Sequence, residues 1–219
     1  MKRPRALLAD HHPIVIEGLR HVLESEFEIA GEVNDGRALV AAVETLQPDV
    51  IIAEISMPLL NGIEAVRQIR KMNRKVKITF LTVHADIDFA AEALRAGCSA
   101  YILKSSSVAE IQEAMREALK GRSYVTPSIK KALVQAQTAA QGRPDKFRFK
   151  LTTRQREVLQ LIAEGQSSKE IAEVLHLSPR TIEFHRYRIM KELGLRTTAE
   201  LIQFAIKNGV APDVNPMGP

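Results

Sequence analysis

Within the first 121 residues, short apolar runs alternate five times with segments of helical periodicity, and this alternation constrains the fold more than any other feature. The runs are apolar almost throughout, which is typical of strands covered on both faces. Strands joined through helices are parallel, because a parallel pair needs a crossover connection. The pattern therefore predicts a doubly wound α/β domain. Its predicted strands are 6–9, 29–33, 50–55, 76–82 and 100–103, and its predicted helices are 14–25, 36–46, 62–72, 86–96 and 107–120.

From residue 151 onward the chain has helical signals and no strand signal. Each predicted helix begins at a hydroxyl side chain suited to a cap, and two of the beginnings are capping boxes with Glu three residues later. A Ser-Pro pair opens the third helix and places Pro at its first position. The beginnings are Thr152 or Thr153, Ser167, Ser178 and Thr197, and the four helices extend to about 164, 175, 193 and 208.

Residues 122–150 break both patterns and are strongly basic. They carry seven Lys and Arg against one acid, whereas residues 1–121 carry 15 against 17 and residues 151–219 carry nine against eight. A helical run at 128–140 and the turn-forming residues at 141–145 predict a linker with one helical stretch. The net charge of +5 hints at a polyanionic partner, but a solvated basic linker accounts for much of it.

Several classes of protein are disfavoured by composition. No run approaches the roughly 18 to 20 apolar residues of a membrane span, so we expect no membrane partner. The single cysteine, Cys98, excludes an internal disulfide and fits the cytoplasm; a small buried thiol is a better interpretation of it than a redox sensor. The sequence has no Gly-rich phosphate loop, nucleophile elbow or zinc-ligand spacing, so we expect neither an enzyme nor a cofactor.

Two of the C-terminal helices, 168–175 and 178–193, are separated by a short turn. The second presents basic and hydrogen-bonding side chains on its outer face, and such a helix fits the major groove of DNA. On geometry alone, an ordinary helical hairpin with a charged surface accounts for the pattern equally well.

The residues themselves favour DNA binding. The runs LTTRQREVLQLIAEG at 151–165, SKEIA at 168–172 and LSPRTIEFH at 177–185 closely resemble the LuxR-type helix-turn-helix. The resemblance implies that 178–193 is the recognition helix and that a dimer binds an inverted repeat in double-stranded DNA. Base-edge contacts are expected from Glu183, Phe184 and Tyr187; phosphate contacts from Lys169, Ser178, Arg180, Thr181, His185 and Arg188; and dimerisation from Leu201, Ile202 and Ala205. RNA polymerase is a further candidate partner.

Glu183 departs from the basic residue common at its place in that family. An acid there either accepts from a cytosine amino group and repels nearby phosphates, or it pairs with Arg186 or Arg180 on the helix surface. The second interpretation is the favoured one.

The first 121 residues resemble the receiver domain of NarL/FixJ-type response regulators, which is flavodoxin-like with five βα units. The resemblance rests on LLADHHP at 7–13, PDV at 48–50, SMP at 56–58, NG at 61–62, LT at 81–82 and YILK at 101–104. It implies a phosphoacceptor site at the carboxyl edge of the sheet, where sites on such folds gather. The helix predicted at 86–96 is the face that this family uses for pairing, with Asp88, Glu92 and Arg95 expected to be exposed; a plainly solvated face is the alternative.

The phosphoacceptor site is degenerate. Thr82, Lys104 and one acid, Asp10, are present, and Tyr101 stands at the place of the family's aromatic switch residue. His11 replaces the second acid, and Glu54 replaces the phosphoaccepting aspartate. Magnesium needs hard oxygen ligands, and phosphoryl transfer depends on positioning, so the two changes predict a regulator that acts without ordinary aspartyl phosphorylation.

Alternatives remain open at this site. Glu54 either reaches Lys104 as a phosphoryl oxygen would, or forms a structural ion pair that switches nothing. Asp10, His11, His12 and Glu54 either bind a transition metal, or, as is more common, the histidines are simply hydrogen-bonded. His84 has no evident role. For the whole chain, the other hypotheses are a conventional phosphorelay receiver with unusual residues and a protein-binding adaptor.

Overall fold

A computed structural model describes residues 3–138 and 151–211 of the chain. It confirms alternating strands and helices followed by helices alone. The elements are β1 (Arg5–Ala9), α1 (Pro13–Leu23), β2 (Glu28–Val33), α2 (Gly36–Leu46), β3 (Val50–Ala53), α3 (Gly62–Met72), β4 (Lys77–Thr82), α4 (Ile87–Ala96), β5 (Ala100–Leu103), α5 (Val108–Leu119), β6 (Tyr124–Val125), α6 (Pro127–Thr138), α7 (Thr153–Ala163), α8 (Ser168–Leu175), α9 (Pro179–Leu193) and α10 (Thr198–Lys207).

The sheet is parallel throughout, in the order β2-β1-β3-β4-β5-β6, and confirms the doubly wound prediction. Its sixth strand corrects the predicted boundary at residue 121. Tyr124 and Val125 pair with β5, and Ile129 of α6 is buried in the same core as α4. The first half of the predicted linker is therefore part of the sheet domain; the rest, 139–150, lies outside the described residues.

Helices cover both faces because successive strand residues point to opposite sides. Leu7 and Ala9 of β1 join a core with α2, α3, α4 and α6, while Ala6 and Leu8 join a second core with α1 and α5. The carboxyl ends of β1, β3, β4 and β5 consequently lie side by side at one edge of the sheet.

The helical domain begins each helix as the sequence predicts. Thr152, Ser167, Ser178 and Thr197 accept hydrogen bonds from backbone amides of the first turn, which are otherwise without partners in a helix. His176 takes a left-handed conformation (φ 54°) between α8 and α9 and makes the sharp turn between them. Among residues 3–138 and 151–211, no helix is both long and apolar enough to cross a membrane.

Candidate functional site

Three charged side chains meet at the carboxyl edge of the sheet. Asp10 follows β1, Glu54 follows β3 and Lys104 follows β5. The Lys104 ammonium lies 2.6 Å from Asp10 Oδ2 and 2.9 Å from Glu54 Oε2. Both carboxylates are buried, with 3% and 2% of their surface exposed. We call this arrangement the Lys104 bridge.

The Lys104 bridge uses both oxygens of Glu54. Oε2 contacts the ammonium, and Oε1 accepts a hydrogen bond of 2.6 Å from the Ile55 amide. Burial lowers the pKa of Lys104, but the nearby charges of Glu54 and Asp10 outweigh burial, and its pKa lies above the ordinary value. The lysine is therefore charged and paired at neutral pH.

Thr82 and Tyr101 converge on His84 rather than on the Lys104 bridge. The Tyr101 hydroxyl donates to the His84 carbonyl at 2.7 Å, and the His84 amide donates to Thr82 Oγ1 at 3.3 Å. His84 Nε2 lies 2.7 Å from the hydroxyl of Ser56, two residues after Glu54. His84, to which the sequence assigned no role, thus joins the end of β4 to the loop that carries Glu54.

Two histidines face Asp10 on the side away from Lys104. His12 donates its backbone amide to Asp10 Oδ1 and places its ring Nδ1 2.9 Å from the same oxygen. His11 Nδ1 lies 4.0 Å from that oxygen. The Mg²⁺ that the receiver resemblance implies does not fit, because an imidazole stands where a carboxylate is needed and both acids are engaged by Lys104.

The loop between β3 and α3 is held by the helical domain. Gln160 of α7 accepts from the Asn61 amide at 2.6 Å and donates to the Met57 carbonyl at 2.8 Å. Glu164, one turn on, accepts from the Leu59 amide at 3.1 Å. Gln160 is 1% exposed, so these polar groups satisfy one another inside the domain interface.

A second contact joins the domains at Phe89 of α4. Its ring stacks on His84 with centroids 4.1 Å apart, and Gly209, just after α10, packs against the far edge of the ring. A Cβ on Gly209 would lie 2.0 Å from the ring. The carbonyl of Gly209 also accepts from the Asn61 side chain at 3.0 Å. The Glu54 loop and His84 are thus both connected to the helical domain.

Sequence reasoning missed this interface, although α7 carries a signal for it. Glu157, Gln160 and Glu164 form a polar stripe at a spacing of three and four residues, and the side chains between them are apolar. Glu157 and Gln160 are nonetheless buried. A buried polar stripe indicates a second packing face.

The outer face of α9 is open. Phe184 and Tyr187 are 53% and 64% exposed, and the Arg188 guanidinium lies 4.9 Å from the Phe184 ring centroid. Arg186 Nη1 lies 3.9 Å from Glu183, as the favoured interpretation of this acid expects. Ser168 of α8 also donates to Glu183.

The residues predicted to contact phosphates lie on α8 and along α9. Lys169, Arg180 and Arg188 are exposed and Thr181 is half-buried. Ser178 Oγ caps α9 by accepting from the Thr181 amide at 3.1 Å. His185 is also half-buried; burial first, and then Arg154 and Arg188, lower the pKa of its imidazole. Their contacts with DNA stay predictions.

The prediction for the dimer-forming residues is wrong for two of the three. Leu201 and Ala205 are fully buried in the core of their own domain, where they pack against α7, so neither is available to a second copy. Ile202 is half-buried. The exposed side of α10 carries Gln203 and Lys207 instead.

On α4, only one of the three side chains that were predicted to be exposed is exposed. Arg95 is exposed, but Asp88 and Glu92 are half-buried, and Glu92 pairs with both Arg95 and Arg67. Cys98 is buried as expected, and burial raises the pKa of its thiol to about 12, which leaves it inert at neutral pH.

Comparison with protein families agrees with this geometry. The model of the response regulator receiver domain matches residues 6–116, and the model of bacterial regulatory proteins of the luxR family matches residues 150–205. The transcriptional regulatory protein MctR of Rhizobium johnstonii is 34% identical, covering 96% of this chain and 96% of its own. The response regulator UvrY of Escherichia coli K12 is 32% identical over 93% of this chain and 94% of its own.

Solved structures give the same result. A structure of the RcsB response regulator of Salmonella typhimurium is 27% identical and covers 93% of this chain and 98% of its own, with a TM-score of 0.59. A structure described as an RcsB–DNA complex is 26% identical over the same shares, with a TM-score of 0.57.

Proposed function

Because the chain belongs to the response regulators that join a receiver domain to a luxR-family DNA-binding domain, we propose that it regulates transcription without aspartyl phosphorylation. The observation that carries this proposal is the Lys104 bridge. Its ammonium contacts Asp10 at 2.6 Å and Glu54 at 2.9 Å inside a buried site.

The chemistry of phosphoryl transfer supports the proposal. A phosphoacceptor needs a free carboxylate oxygen aligned with the donor, and the rate of phosphoryl transfer falls steeply when that oxygen is misplaced. Glu54 is longer than aspartate by one carbon, and both of its oxygens already have partners. His11 removes the second acid, so the negative charge that would hold a divalent cation against a phosphoryl group is also missing.

Two versions of the proposal differ in what Glu54 does. In one, the Glu54–Lys104 contact holds the receiver domain in its DNA-binding arrangement. In the other, the contact only stabilises the fold. Substituting Glu54→Gln separates them, because loss of DNA affinity at unchanged stability supports the first, and loss of stability at unchanged DNA affinity supports the second.

For DNA recognition, the proposal uses the outer face of α9. Phe184 and Tyr187 would face base edges in the major groove, and Arg180 and Lys169 would contact phosphates on either side. A dimer on an inverted repeat follows from the two-fold symmetry of such sites. Its surface would be the exposed side of α10, at Gln203 and its neighbours, because Leu201 and Ala205 are buried. Contact with RNA polymerase stays a prediction.

The experiment is selection of genomic fragments by the purified, unmodified full chain, followed by footprinting of the best fragment. We expect a protected inverted repeat without any phosphodonor. A parallel sample receives acetyl phosphate and Mg²⁺ before intact-mass measurement and footprinting. The matched control is Glu54→Asp, which restores the side-chain length of an ordinary phosphoacceptor.

Three outcomes would decide the matter. A footprint without phosphodonor and no phosphoryl mass on the parent chain support the proposal. A phosphoryl group on the parent, accompanied by tighter DNA binding, would show a conventional receiver instead. Failure to select any sequence under either condition would favour a protein-binding adaptor.

A further inference from the structure

The residues just before α1 form a cluster in which Asp10 takes part in the Lys104 bridge and the two histidine rings have no part in the proposed function. Asp10, His11 and His12 place one carboxylate oxygen and two ring nitrogens within 4.8 Å of one another. Asp10 contacts Lys104 through Oδ2, which leaves Oδ1 facing the two imidazoles. The rings themselves lie 3.8 Å apart, centroid to centroid.

His12 stands at the N-cap position of α1 but does not cap the helix with its side chain. Serine, threonine, aspartate and asparagine are the usual residues there, because their oxygens accept from the first amides. The His12 ring instead turns back, and its Nδ1 lies 2.9 Å from Asp10 Oδ1. The His12 side chain therefore contacts Asp10 in the cluster and does not cap the helix.

His11 supplies a second, independent observation. Its Nδ1 is buried and forms no hydrogen bond with any described residue, although 26% of the side chain remains exposed. Buried polar atoms nearly always have a partner, so an orphan requires an explanation. A bound cation at the mouth of the site would provide one.

The distances suit a tetrahedral ion. Metal–ligand bonds of about 2.0–2.2 Å to nitrogen and oxygen imply about 3.4 Å between neighbouring ligand atoms. The Asp10–His12 and Asp10–His11 distances of 2.9 and 4.0 Å fall on either side of that value. Changes of about 0.6 Å or less would bring each of these two distances to that value.

From this geometry we propose that Asp10, His11 and His12 bind a divalent transition metal of the zinc type. Two imidazoles and one carboxylate favour such borderline ions over Mg²⁺, which requires oxygen ligands. Because His12 is exposed, water can reach a fourth position on the ion. The charge of the site also suits a cation, because the two carboxylates of Asp10 and Glu54 exceed the one ammonium of Lys104 by one negative charge. This proposal is independent of how the chain recognises DNA.

The test uses the full chain without an affinity tag, titrated with Zn²⁺ against a chromophoric chelator and separately with Co²⁺ and Mg²⁺. We expect one Zn²⁺ per chain, the strong visible absorption of tetrahedral Co²⁺, and no competition from Mg²⁺. His11→Ala and His12→Ala should each weaken Zn²⁺ binding by about tenfold or more. The matched control is His21→Ala, which removes an exposed histidine elsewhere on α1.

Equal Zn²⁺ affinity in the parent and in the His11→Ala/His12→Ala double variant would overturn the proposal, and so would a loss of binding in His21→Ala as large as in the others. Weak absorption typical of octahedral Co²⁺ would also overturn it. Urea midpoints measured on each variant identify one that has unfolded; His12 is exposed, so His12→Ala provides a variant expected to retain its fold.

Discussion

Replacing Lys104 with methionine should destabilise the receiver domain strongly. Lys104→Met keeps much of the side chain's length but leaves Asp10 and Glu54 buried without their counter-charge. Removing one partner of a buried ion pair typically lowers the free energy of unfolding by 3–5 kcal/mol. Because 16% of the Lys104 side chain is exposed, we expect a value of about 3 kcal/mol, near the lower end of that range.

The assay is urea unfolding followed by circular dichroism. With a slope of about 1–3 kcal/mol per molar urea, a loss of about 3 kcal/mol moves the midpoint by about 1–3 M. The double variant Lys104→Met/Glu54→Gln should recover about half of the loss, because one of the two unpaired charges is gone while Asp10 keeps its hydrogen bonds from His12. Together with the parent and the Glu54→Gln single variant, these two complete a double-mutant cycle, which gives the coupling energy between Glu54 and Lys104.

A loss below about 1 kcal/mol in Lys104→Met, with no recovery in the double variant, would refute this reasoning, since that is the magnitude of a solvent-exposed ion pair. It would mean that water reaches the carboxylates and that the Lys104 bridge does not account for a silent phosphoacceptor site.

Three further predictions concern the domain interface and DNA. Gly209→Ala should undock the helical domain and speed hydrogen exchange at the β3–α3 loop amides; Gly165→Ala, also at positive φ but with open space around it, should not. Burial raises the pKa of Glu164, so docking should be strongest below the ordinary glutamate value and weaken as pH rises through the raised one, and Glu164→Gln should flatten this dependence. The last prediction is tested by fluorescence-anisotropy binding titrations. Arg180→Ala should weaken binding to all DNA sequences alike and reduce the slope of log K against log salt concentration by about one, whereas Tyr187→Ala should reduce discrimination between sequences.

Much of the fold follows from local signals. The apolar runs at the strands and the hydroxyl caps at Thr152, Ser167, Ser178 and Thr197 are each readable from a few neighbouring residues, and the structure has all of them. The sixth strand was missed because it contains only Tyr124 and Val125, both half-buried. Two residues are too few for an alternation of apolar and polar side chains to appear.

The site was predictable in identity but not in geometry. Motif positions identified Asp10, Glu54 and Lys104, and the structure brings them into one bridge. Nothing local indicates that Tyr101 binds the backbone of His84, or that Gln160 inserts between Asn61 and Met57, about 100 residues away along the chain. Such contacts depend on tertiary packing, which no short window of sequence contains.

The position of Gly209 against Phe89 means that docking of the helical domain and self-association through α4 would use the same surface. A second copy that paired through α4 would first have to displace the end of α10 from that ring. Both copies of a symmetric pair must be open, so the apparent dissociation constant equals the intrinsic one divided by the square of the open fraction; at about 1% open, pairing would be about 10,000-fold weaker. Two half-sites on one DNA molecule raise the local concentration of the second copy, and they would offset this penalty only where the sequence holds both copies at once.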